Sequence, residues 1–134
     1  MHSIGMQRPL AVMMRSAAQT ISPDATACDA ARQMRAAKVG ALLVREGTSY
    51  LGIVSEADLV RKVLAESLAP AHTLVRSVMS APLITIDVTA SAHEASDVMA
   101  QAGIRHLAVV EGGEVVGILS VRDLLRYFKN WGAQ

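Results

Sequence analysis

The chain has 134 residues and a net charge of +1, a length that suits one compact domain or two intimately packed halves rather than two independent domains. Charges of both signs are dispersed and aromatics make up only 3%, which argues against a nucleic-acid footprint or base-stacking platforms. No apolar run approaches the ~20 residues of a membrane span, and the lone Cys28 permits no internal disulfide.

At the N-terminus Arg8 precedes a short apolar run, Leu10–Met14, but Arg15 follows it and no clear cleavage site appears. With the single cysteine, this reads as a cytoplasmic protein. Thr20-Ile21 is a short extended piece ending at the turn signal Ser22-Pro23-Asp24. From Ala25 the apolar positions Ala27, Ala30, Ala31, Met34 and Ala37 have helical spacing, and Lys38-Val39-Gly40 ends that helix. Ala41–Val44 is a buried strand, Glu46-Gly47-Thr48 a turn, and Tyr50–Val54 a second strand pairing antiparallel with the first. Ser55 opens a helix running towards Glu66, and Ser67–Ala71 is a linker. The order then repeats: Ile84–Ile86, a helix from Ala90 to about Ala102, Leu107–Val110, a Gly112-Gly113 turn, Val115–Leu119, and a helix from Ser120.

The repetition is literal. A constant offset of 65 residues carries Gly52-Ile53 onto Gly117-Ile118, Met14 onto Met79, Thr20-Ile21 onto Thr85-Ile86, Met34 onto Met99 and Leu42 onto Leu107. Each copy is a β-α-β-β-α unit of about 50 residues, too small to close a core alone, so two such units are expected to pack sheet to sheet into a pseudo-symmetric object.

Both copies end in Ser-x-x-Asp at a strand-to-helix turn: Ser55/Asp58 and Ser120/Asp123. One reading is a capping box, with the hydroxyl accepting from the amide three residues on. The other is a ligand site, since free amides and a hydroxyl at a helix start suit an anion and a carboxylate can accept the hydroxyls of a ribose. The two are compatible.

The duplication, the Gly-hydrophobic-x-Ser-x-x-Asp-Leu endings and the stretch Gly103–Val110 resemble a pair of CBS (cystathionine β-synthase type) domains over about Leu10 to Phe128. The resemblance implies an α/β (α+β) module of two tandem β-α-β-β-α repeats, at residues 8–66 and 74–128, packed with pseudo-twofold symmetry. It also implies two clefts between the repeats that take AMP, ADP, ATP or S-adenosylmethionine, with Ser meeting phosphate or ribose and Asp the ribose hydroxyls. One cleft would join Ser55 and Asp58 to Ile84, Thr85, Ile104, Arg105 and His106, and the other Ser120 and Asp123 to Gln19, Thr20, Val39, Gly40 and Ala41. Arg105-His106 can carry a phosphate, with Lys38 and Arg122 as helpers, whereas Gly40-Ala41 brings no charge. The proline that often follows the Leu of this segment in the family is replaced by Ala108 and Leu43.

Other candidates are weaker. His2, His72, His93 and His106 share no metal-ligand spacing, so no metal or resident cofactor is expected. Cys28 and Met13, Met14, Met34, Met79 and Met99 read as core filler, and Asp29, Arg32 and Arg35 as a solvated helix face. No nucleophile is paired with a base, so no enzymatic activity is expected. The expectation is a regulatory sensor of adenine nucleotides acting on an unidentified protein. It would form a homodimer through Leu59, Val60, Val63, Leu64, Leu124, Leu125 and Phe128. The alternative is a ligand-free dimerisation scaffold in which Ser-x-x-Asp only caps helices.

Overall fold

The computed structural model describes residues 8–16 and 18–132, with side chains described as far as 130; His2 lies outside them. The chain forms two compact units, one of residues 19–83 and the other of residues 1–18 with 84–134.

In the 19–83 unit, β1 (Thr20–Ile21) pairs parallel with β2 (Ala41–Glu46), which pairs antiparallel with β3 (Ser49–Ser55). Helix α1 (Ala27–Ala37) starts two residues after the sequence expectation. Thr26 sets that start: its hydroxyl accepts from the Asp29 amide and the Asp29 carboxylate accepts from the Thr26 amide. Asp29 is therefore part of the helix start as well as of its solvated face. The Thr26 backbone amide, then the Thr26 hydroxyl, hold its carboxyl below the ordinary carboxylate value. Lys38 ends α1 in the left-handed conformation, at φ 57°. The helix expected from Ser55 to Glu66 is not uniform. One α turn, α2 (Glu56–Leu59), gives way to a π turn over Val60–Leu64.

The other unit has the same plan. Strand β4 (Thr85–Asp87) pairs parallel with β5 (His106–Glu111), and β5 antiparallel with β6 (Glu114–Ser120). Helix α4 (Ala92–Ala102) is capped by Ser91 and ends at Gly103, at the same left-handed position that Lys38 holds in α1. Helix α5 (Val121–Gly132) follows β6 without interruption. Both hairpins carry a register shift at matching places, Val44/Arg45 and Val109/Val110. This is an α+β architecture.

The segments leading into each repeat lie with the sheet of the other repeat. In the 19–83 unit, residues 73–76 join residues 23–27 through three backbone hydrogen bonds: Ala27 N–H to the Thr73 carbonyl, Val75 N–H to the Ala25 carbonyl, and Arg76 N–H to the Pro23 carbonyl. The short helix α3 (Val75–Val78) then buries Val75 and Val78 with Ile21, Ala30, Met34, Leu42, Val44, Val54 and Val63. Arg76 closes this segment with ion pairs to Asp24 at 3.0 Å and Glu46 at 3.1 Å. In the other unit, a 3-10 turn over Pro9–Val12 buries Leu10 with Ile86, Val88, Met99, Leu107, Val109, Leu119 and Leu124, and Arg8 pairs with Glu111 at 2.8 Å.

This docking accounts for the glycine that precedes Ile in both copies. Ile53 and Ser80 exchange both backbone hydrogen bonds, and a Cβ on Gly52 would fall on the Ser80 carbonyl oxygen. Ile118 and Arg15 make the same exchange, and a Cβ on Gly117 would stand 2.7 Å from the Met14 sulfur and 2.9 Å from the Arg15 carbonyl.

Two side chains assigned to a self-association face belong to the cores instead. Val63 is 1% and Leu124 4% exposed, because each points from its helix into the unit beneath. Leu59 and Phe128 pack partly against the same cores, leaving Val60, Leu64 and Leu125 exposed. Among the described residues no helix is long and apolar enough to cross a membrane.

Candidate functional site

The Ser-x-x-Asp turns form because a strand ends on a serine in extended conformation and the chain then turns helical. Ser55 closes β3 at φ −119°, ψ 167°; its hydroxyl accepts from the Asp58 amide at 3.2 Å and its amide donates to Asp58 Oδ2 at 2.9 Å. Ser120 and Asp123 make the same pair of bonds at 3.1 and 2.9 Å. The capping function expected from the spacing is present in both copies.

Beyond the caps the two turns differ. Asp58 is 6% exposed and its carboxylate is fully engaged. Oδ2 accepts from the Ser55 amide and, at 3.1 Å, from the Ser55 hydroxyl. Oδ1 accepts from the Ser80 hydroxyl at 3.0 Å and meets Lys62 Nζ at 2.9 Å. Lys62 in turn donates to the Val78 carbonyl at 3.1 Å, tying the π turn to α3. In the second copy Asp123 Oδ2 carries the cap, while Oδ1 has Arg126 at 3.6 Å, beyond hydrogen-bond distance. Arg126 is itself exposed, and the Asp123 side chain is 17% exposed against 8% for Asp58.

Each turn is flanked by the loop that follows α1 or α4. The strand register sets Ala41 opposite Ser55 and His106 opposite Ser120. Glu56 N–H donates to the Gly40 carbonyl at 3.0 Å, and Val121 N–H to the Arg105 carbonyl at 2.9 Å. An exposed cation, Arg105, and a half-buried His106 therefore border the Ser120 turn in its own unit. Gly40 and a buried Ala41 border the Ser55 turn, with Lys38 exposed at the end of α1.

The remaining expected residues divide along the same line. Gln19, Thr20, Lys38, Val39, Gly40, Ala41, Ser55 and Asp58 belong to the 19–83 unit. Ile84, Thr85, Ile104, Arg105, His106, Ser120, Arg122 and Asp123 belong to the other. Each ligand set expected from the sequence draws on both units. The Gln19 carbonyl accepts from Leu43 N–H at 3.0 Å, and the Ile84 carbonyl from Ala108 N–H at 3.2 Å. Gln33 donates to the Thr20 carbonyl at 2.8 Å. Ile84, Thr85, Arg105 and Arg122 are exposed, so their side chains are open to a solute.

Sequence reasoning missed Lys62 and Ser80. The available signal was the acid–base pair at i, i+4, Asp58 and Lys62, which the second copy breaks by placing Tyr127 where the first has Lys62. Among the described residues no group of three or more His, Cys, Asp or Glu could hold a metal ion. His93 lies against Phe128 with ring centroids 5.1 Å apart and the planes tilted by 45°.

The CBS domain family model matches twice, at residues 8–65 and 75–130. The chain is similar to the CBS domain-containing protein CBSCBSPB2 of Arabidopsis thaliana, 39% identical over 120 residues that cover 89% of this chain and 22% of that protein. It is also similar to the CBS domain-containing protein YhcV of Bacillus subtilis, 33% identical, covering 83% of this chain and 79% of that one. Among solved structures, a hexameric CBS-CP12 protein from bloom-forming cyanobacteria matches with a TM-score of 0.79 and 30% identity, covering 85% of this chain and 67% of that one. A CBS-domain containing protein from Agrobacterium tumefaciens matches with a TM-score of 0.83 and 26% identity, covering 94% and 97%. With two family matches spanning most of its length, and a Ser-x-x-Asp turn closing each, the chain belongs to the CBS-domain family as a tandem pair.

Proposed function

We propose that the chain is a non-catalytic regulatory module of the cytoplasm. It binds an adenosine-containing ligand, such as AMP, ADP, ATP or S-adenosylmethionine, and reports binding to a protein partner. The observation that carries this reading is the Ser120 turn. There a strand-end hydroxyl and an Asp123 oxygen with no hydrogen bond within 3.5 Å among the described residues lie beside the backbone of the exposed Arg105, whose carbonyl accepts from Val121 N–H. A ribose needs a carboxylate with acceptor capacity to spare, and a phosphate needs charge-assisted donors. In this reading Ser120 and Asp123 address ribose and phosphate, with Ser55 and Asp58 as their first-copy counterparts whose carboxylate is already engaged, and Arg105, His106, Lys38 and Arg122 address negative charge. Self-association would use Val60, Leu64 and Leu125, which are 56%, 63% and 64% exposed; Val12, at 72%, is exposed further. The hexameric relative supports a self-associating family member.

The completed capping boxes favour the rival reading, a ligand-free scaffold, because both motifs already have a structural function. A thermal-shift screen with AMP, ADP, ATP, S-adenosylmethionine and NAD separates the two. A ligand that binds only the folded chain adds ~2.7 kcal/mol of stability at about a hundred times its dissociation constant. One adenosine ligand should raise the melting temperature; a flat response to all five would leave the scaffold.

A further inference from the structure

The two Ser-x-x-Asp turns are copies in sequence but not in chemistry. Asp58 is nearly buried, and each of its oxygens accepts two contacts from its own unit: Ser55 N–H and Oγ on Oδ2, Ser80 Oγ and Lys62 Nζ on Oδ1. Lys62 is anchored from the other side by the Val78 carbonyl and lies 3.4 Å from Ser80 Oγ. A carboxylate with four donors has little capacity left for a fifth. The second copy has neither partner: Tyr127 stands at the position of Lys62 and Arg15 at that of Ser80. Asp123 keeps one oxygen whose contact among the described residues is the exposed Arg126, 3.6 Å away.

We infer that Lys62 is an internal counter-ion that closes the first-repeat turn to ligands. Asp58 then serves the stability of its own unit, while Asp123 is the carboxylate left to read a ligand's hydroxyls. This rests on the adenosine-binding reading for its second half only. For a ligand to use Asp58, its hydroxyls must displace an ammonium and a serine hydroxyl from a carboxylate that is itself buried, although the Lys62 side chain that supplies the ammonium is 44% exposed. Binding at the two turns is therefore unequal, and Lys62 and Ser80 set the difference.

Two measurements test this separately. The first needs no ligand: the melting temperatures of Asp58→Asn and Asp123→Asn are compared with the wild type. Each asparagine retains an acceptor for the cap, but only the first places an amide against Lys62 and Ser80. Asp58→Asn should lower the melting temperature by at least ~6 °C and Asp123→Asn by less than ~3 °C. Equal losses would overturn the inference whether or not the protein binds nucleotides. The second is calorimetric titration with AMP of the wild type and of Lys62→Met, which keeps the aliphatic stem and removes the charge. The wild type should bind one AMP per chain, and Lys62→Met a second. Two AMP per chain in the wild type, or one in both proteins, would overturn the inference. No heat from either protein would refute AMP binding and leave the melting comparison to decide the role of Lys62.

Discussion

Gly52→Ala isolates the docking of the lead-in segment. Its backbone is not in the left-handed region, so alanine is conformationally acceptable and on its own would add ~0.4–1 kcal/mol through the unfolded chain. The obstacle is spatial: the new methyl falls on the Ser80 carbonyl oxygen and 3.3 Å from Ala81 Cβ, so the segment carrying Ser80 must retreat. Retreat breaks Ile53 N–H to the Ser80 carbonyl at 3.0 Å, Ser80 N–H to the Ile53 carbonyl at 2.8 Å, and Ser80 Oγ to Asp58 at 3.0 Å. At about 1 kcal/mol for each of the three hydrogen bonds the loss is ~3 kcal/mol, or about 2–2.6 kcal/mol after the unfolded-state gain. For a chain of this size that lowers the melting temperature by about 5–11 °C. Gly117→Ala meets a movable Met14 sulfur at 2.7 Å first and the Arg15 carbonyl at 2.9 Å, so it should cost under ~1.5 kcal/mol. The assay is thermal unfolding of both variants, with hydrogen exchange of the Ile53 and Ser80 amides as a local readout. A Gly52→Ala protein that melts with the wild type and protects both amides would refute the reasoning.

Arg105→Ala should weaken AMP binding at least about tenfold, ~1.4 kcal/mol, while adenosine binding barely moves; equal losses in parallel calorimetric titrations would show that Arg105 shapes the site without reading phosphate. Light scattering should give a dimer of the 14.2 kDa chain, reduced to a monomer by Leu125→Glu; a wild-type monomer at micromolar concentration would contradict the exposed-face assignment. The carboxyls of Asp29, held low by the Thr26 amide and hydroxyl, and of Asp87, held low by the Thr89 amide and hydroxyl, titrate below their unfolded values. Their contribution is complete above the ordinary carboxylate pKa of about 4 and is lost as pH falls through the lower folded values. Asp29→Asn with Asp87→Asn should flatten the acid limb of a stability–pH curve, and an unchanged limb would refute the assignment.

The repeat made most of the fold legible. A constant offset locates every strand twice, and the Gly-rich turns give the antiparallel hairpins. Helix starts were less visible, because Thr26 outcompeted Ala25 by completing a capping box with Asp29. The π turn after α2 has no periodic signature, since Val60, Val63 and Leu64 fit an α-helical face equally well. The exchange of lead-in segments is a long-range pairing that no local pattern announces, although the glycines it requires at positions 52 and 117 stood in plain view. In the candidate site the shared residues were readable and the difference between copies was not. A motif search aligns Asp58 with Asp123 and passes over Lys62 and Ser80, which lie outside the motif and decide what Asp58 can still accept.

The most direct test of ligand recognition at the Ser-x-x-Asp turns is calorimetric titration of the wild type and of Asp123→Ala with AMP, ATP and S-adenosylmethionine. Each melting temperature is measured alongside, because Asp123 also caps α5. At least one ligand should bind the wild type, and removal of the Asp123 carboxylate should weaken it by at least about tenfold, ~1.4 kcal/mol, in a variant that remains folded at the titration temperature. A folded Asp123→Ala protein with wild-type affinity, or a wild type that takes up none of the three, would contradict the account.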